Sequence, residues 1–165
     1  MRGKIVVILF VAASVAFSAY AALYLFNRSP IDQRFNLARQ AVPSVGGSAL
    51  LPRSLDEFQR SGNVTSRAAG TSEATYTDNQ YAVDFTVSSV KGQDAAQTAD
   101  ILGKPACQNA SGSVISHAQN NSKILYSYSV CQNTYTFRWI NGDWLFSASG
   151  SDSEALLRFV NLYGY

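Results

Sequence analysis

Side chains capable of covalent or acid–base chemistry are scarce here: two cysteines, one histidine and 11 carboxylates among 165 residues. A relay around His117 would need a serine or cysteine nucleophile and an acid beside it. No G-x-S-x-G elbow exists, and Ser149-Gly150-Ser151 precedes a helix, where serines serve as caps. Ser88-Ser89-Val90-Lys91 matches S-x-x-K, but it falls at the end of a strand and no K-T-G follows. Asp56 and Glu57 are adjacent and cannot share a helix face, and Asp84 lies on the polar face of its strand. Gly46-Gly47 lacks the strand, lysine and helix of a phosphate loop. Two cysteines and one histidine cannot complete a four-ligand zinc site without carboxylates. The expectation is no catalytic residue, no metal and no cofactor.

The cysteines read instead as a staple. A hairpin of Val114–Ala118 with Lys123–Cys131 about Asn120-Asn121 puts the residue opposite Cys131 near Ala110, a few residues from Cys107. A Cys107–Cys131 disulfide would tie two neighbouring strand ends, for roughly 3 kcal/mol in the chain-entropy model. It also implies an oxidising compartment.

Tyr81, Phe85, Tyr126, Tyr128, Tyr135, Phe137, Trp139, Trp144 and Phe146 fall on alternating strand positions. The plainer reading is a core of large rings. The sharper one is a cleft for an apolar ligand or peptide, with Tyr126, Tyr128, Trp139 and Trp144 as its candidate lining.

These residues need elements to place them. Leu55 and Phe58 suggest a short helix after Pro52. Ala74–Tyr76 and Tyr81–Ser88 read as strands around Asp78-Asn79, the second with period-2 alternation. Asp94–Leu102 reads as a helix stopped by Gly103. Four strands follow, the last two joined at Asn141-Gly142. Ser151-Asp152-Ser153-Glu154 opens a final helix with the face Leu156, Phe159, Val160 and Tyr163.

Ahead of them, Ile5–Phe26 is an uncharged apolar run of 22 residues between Arg2 and Lys4 on one side and Arg28 on the other. As a helix it spans about 33 Å, enough for a hydrocarbon core of about 30 Å. Cleavage at Ala19-Tyr20-Ala21 is the rival reading, but apolar residues continue beyond that site. The expected fold class is α+β: an N-terminal transmembrane helix, then an antiparallel sheet packed by helices. Residues 1–28 form a cytoplasmic tail and anchor, 29–49 a juxtamembrane helix and flexible linker, and 50–165 an exported domain. Removing Arg2, Lys4 and Arg28 from the 13 basic residues leaves 10 against 11 acidic ones, so no footprint for nucleic acid remains.

Leu51-Pro52…Phe58, the strands around Asp78-Asn79, the Asp94-Ala95-Ala96 helix and the Trp139-Ile140-Asn141-Gly142-Asp143-Trp144 hairpin before a helix are similar to the PsbP/Mog1-like α/β sandwich domains. The resemblance covers residues 50–163 by element order. It implies a non-enzymatic subunit or adaptor and transfers no functional residue.

The expectation is therefore a signal-anchored, single-pass protein of the cell membrane with an extracytoplasmic domain. It would touch membrane lipid and serve as an accessory subunit among other membrane-protein subunits. Ile31, Phe35, Ala38 and Val42, a stripe at helical spacing, are candidate partner contacts, as are Tyr163 and Tyr165 at the C-terminal end. The alternative is a tethered binding module for an apolar ligand or peptide.

Overall fold

The computed structural model describes residues 39–67, 70–104, 107, 110–119 and 122–165, the stretch 111–125 by its backbone. They belong to one unit, Asn36–Tyr165. Eight strands follow in chain order: β1 Ser54–Leu55, β2 Phe58–Arg67, β3 Thr71–Thr77, β4 Ala82–Ser89, β5 Ser111–Gln119, β6 Ser122–Cys131, β7 Thr134–Asn141 and β8 Trp144–Gly150. Helix α1, Ala95–Gly103, separates β4 from β5, and α2, Ser153–Leu162, follows β8. The strands form one antiparallel sheet in the order β1-β2-β3-β4-β8-β7-β6-β5.

Register explains the core. Ser72, Val87, Phe146, Trp139 and Tyr126 stand in one cross-strand row, and Ala74, Phe85, Ala148, Phe137 and Tyr128 in the next. Successive side chains of a strand alternate faces. These rows therefore share one face, while Thr75, Asp84, Ser149 and Thr136 fall on the other. Helix α2 covers the aromatic face. Its Phe159 meets Phe58 and Phe85 edge-on at 5.3 and 5.1 Å, and Ala155, Leu156, Leu157 and Val160 are buried beside it. Asp152 caps this helix by accepting the Ala155 N–H at 2.8 Å. Helix α1 opens with a reciprocal capping box between Asp94 and Gln97. It contacts β5, β6 and β7, and Arg138, on the polar face, donates to Lys104 O at its end.

Two expectations are corrected. The expected fold class, a transmembrane helix followed by an antiparallel sheet packed by helices, is corrected: the described residues form one curled eight-stranded antiparallel sheet with two short α-helices. No helix among the described residues is long and apolar enough to cross a membrane. At nine and ten residues, α1 and α2 reach about 15 Å, half a hydrocarbon core. The membrane, transmembrane, single-pass and signal-anchor descriptions have no support in these elements. The run Ile5–Phe26 and the positions Ile31, Phe35 and Ala38 lie outside the described residues.

The helix expected after Pro52 is instead a tight hairpin of β1 and β2, in which Asp56 takes φ +51°. Leu55 and Phe58 suit a helix by spacing alone, but in the hairpin they stand directly opposite one another. The stretch expected as a linker is exposed at residues 43–46, 48 and 49 and half-buried only at Gly47, and the buried chain begins at Leu50, where the domain was expected to start. Gly47–Leu50 is one turn of 3-10 helix, and a Cβ on Gly47 would come within 3.1 Å of the Trp144 ring. Leu50 and Leu51 are buried.

Candidate functional site

The disulfide forms as expected, joining Cys107 to Cys131 with 6.1 Å between their Cα atoms. The hairpin register that suggested it is present: Gln119 pairs Ser122 and Ser111 pairs Val130, so Ala110 comes next opposite Cys131. Its effect is to fasten the chain leaving α1 to the far end of the sheet, just before β5 begins.

The aromatic candidates divide. Trp139 and Tyr126 are fully buried. Trp139 stacks on Phe146 at 5.2 Å and Phe85 at 5.9 Å, and Tyr126 on Phe137 at 5.3 Å. Trp144 is half-buried against Gly47. Tyr128 is half-buried, stacked on Tyr135 at 6.3 Å. Burial, with the neighbouring Tyr135, pushes the Tyr128 phenol up to about 12. Most of this ring surface is thus turned into the core.

The partner candidates divide similarly. Tyr163 is buried and donates to Leu50 O at 2.7 Å, with burial holding its phenol above the ordinary range. Tyr165 packs its ring on Tyr163 at 5.7 Å and accepts the Trp139 indole N–H at 2.8 Å through its backbone oxygen. Val42 is half-buried and outside any helix. Beside it runs a seam that the sequence did not announce. Arg39 donates to Val160 O and Tyr163 O and lies 5.2 Å from the Trp139 ring centroid. Its guanidinium thereby meets carbonyls at the C-terminal end of α2, where a cation is favoured. Burial lowers it to about 10, so it remains charged at neutral pH. The Gln40 N–H donates to Gly164 O, and Asn141 donates to Gln40 O.

On the opposite face, Asn63, Thr65, Arg67, Glu73, Asp84 and Thr86 line an open groove of about 340 Å³ across β2, β3 and β4. Arg67 pairs with Glu73 at 2.8 Å, and Thr75 donates to Asp84 at 2.7 Å. The groove offers hydroxyls, an amide, carboxylates and a guanidinium, which suits a hydrogen-bonding group.

The two edges of the sheet differ. Past its short pairing with β1, β2 carries a break in register between Ser61 and Thr65, with Gly62 at φ +82° and Arg60 and Arg67 along its length. Bulges and charges are the ordinary protection of an edge against pairing with another chain. At the other end β5 is the last strand among the described residues, with β6 as its one neighbour. It pairs over nine consecutive positions without a shift in register. From Ser111 to Gln119 it contains no Lys, Arg, Asp, Glu or Pro. His117 lies in it, opposite Ile124. The sequence held one signal of this edge: no charged residue occurs between Lys104 and Lys123. Strand order was needed to place that stretch at the border.

No protein-family model matches the chain, and no curated protein matches it. Among solved structures it is similar to a GTP binding regulator from Thermotoga maritima, at 19% identity and a TM-score of 0.46 over 67% of this chain and 87% of that one. A likeness of that size carries no argument about activity or about the PsbP/Mog1-like resemblance.

Proposed function

We propose that this chain is a non-enzymatic interaction domain, an accessory subunit that joins its assembly by adding a strand at β5. The observation that carries this reading is the contrast between the edges: β2 is bulged and charged, whereas β5 is regular, neutral and free of proline. An edge strand presents a row of backbone N–H and C=O groups that an incoming strand can satisfy. The disulfide adds support in two ways. It fastens the segment leading into β5, and it fits an oxidising, extracytoplasmic location. The alternative of an apolar ligand on the aromatic face has less support, because Trp139 and Tyr126 are buried among other rings.

The test is a guarded edge. Ser113→Lys/His117→Lys places two lysines on β5, the device that natural edges use against pairing. In extracts of its native source, the wild-type chain is expected to migrate in one stoichiometric assembly and the double variant to be released from it. A wild-type chain that migrates alone, or an assembly indifferent to the two lysines, contradicts the reading.

A further inference from the structure

Resting on that reading of β5, we infer that the strand added there is β5 of a second copy of this chain, antiparallel and centred on Ile115. The nine residues Ser111–Gln119 are self-complementary in that register. Ile115 meets Ile115 of the second copy on the two-fold axis. Ser113 stands opposite His117, Ser111 opposite Gln119, Val114 opposite Ser116 and Gly112 opposite Ala118. No pair opposes like charges, which would be destabilising across a sheet. Two-fold pairing of this kind uses the same patch on both subunits and closes on itself. All nine β5 positions are in regular register with β6, so the pair would continue one sheet across both copies from eight strands to sixteen. The low net charge beyond the N-terminal flank, 10 basic against 11 acidic residues, leaves little long-range repulsion between copies. The bulged β2 offers no comparable uninterrupted stretch.

The register makes the proposal testable with single cysteines, since the chain has two cysteines and both are in the disulfide. Ile115→Cys is expected to cross-link the full chain into a covalent dimer under mild oxidation. Ser111→Cys is not, because its copy would sit about 27 Å away along the strands. Charge placement gives a second readout that survives a poorly folding Ile115 variant. Ser113→Lys/His117→Lys opposes lysines twice and is expected to weaken dimerisation in sedimentation equilibrium by roughly tenfold or more. Ser113→Lys/His117→Glu opposes lysine to glutamate and is expected to restore it. Positions 113 and 117 are about 13 Å apart on one strand, so that rescue requires a second copy. Equal cross-linking at 111 and 115, or a dimer insensitive to both charge variants, overturns the inference. A wild-type chain that is monomeric at all concentrations also overturns it. In that case the wider reading of β5 is judged separately, by whether the two lysines release the chain from an assembly with another protein.

Discussion

Arg39 shows at the level of one residue how the approach to the domain is held. It bonds two carbonyls near the end of α2 and covers the Trp139 ring. Charged hydrogen bonds of this kind contribute about 1.5–3 kcal/mol each, with partial overlap when one group makes both. Arg39→Ala is therefore expected to cost about 2–3 kcal/mol in denaturant unfolding. Arg39→Lys should recover only part, keeping the charge without the planar fork. Two phenols give a pH signature. Burial pushes Tyr76 and Tyr128 up to about 12, while the unfolded chain releases these protons near 10. Between those values the unfolded state binds fewer protons, so stability falls as pH rises. The stability that these two groups contribute is fully present below pH 10 and lost by about pH 12. Tyr128→Phe is expected to flatten that decline, measured by urea unfolding across the alkaline range.

Among the elements, the hairpin β5–β6 depends most on a covalent tie. Opening the Cys107–Cys131 bond, which spans 24 positions, is expected to cost roughly 3.5 kcal/mol by loop entropy. Paired Cys→Ser variants read by thermal or urea unfolding check this value. A loss confined to faster exchange of β5 and β6 amides would place the effect in that hairpin. The same elements show what the sequence disclosed. Alternating rings made β4, β6, β7 and β8 legible, because large apolar side chains on one face leave a period of two. The Ser151–Glu154 box marked the start of α2, although its cap is Asp152, one residue later. Helix α1 was legible from its alanines and Gly103, whereas its Asp94–Gln97 capping box emerged only in the structure. Strand β2 was not legible. It is an edge strand whose residues from Gln59 onward are mostly exposed, so hydrophobic alternation has nothing to report. The Arg39 seam escaped for a different reason. Its partners are backbone carbonyls over a hundred residues away, and no spacing along the chain encodes them.

At the scale of the whole molecule, one sheet face is closed by α2, while the other carries a polar groove and the end of α1. The remaining difference lies between the two borders of the sheet. The bulge and arginines of β2, set against nine neutral residues in regular register at β5, are the contrast on which the proposed pairing at β5 rests. Exposed ion pairs such as Arg67–Glu73 contribute little to this arrangement. The most direct measurement is amide hydrogen exchange of β2 and β5 in the assembled protein and in the same protein diluted to monomer. Alternate amides of Ser111–Gln119, those not bonded to β6, should be slow in the assembly and fast in the monomer, with β2 unchanged. Equal exchange of the β5 amides in both states would contradict the account.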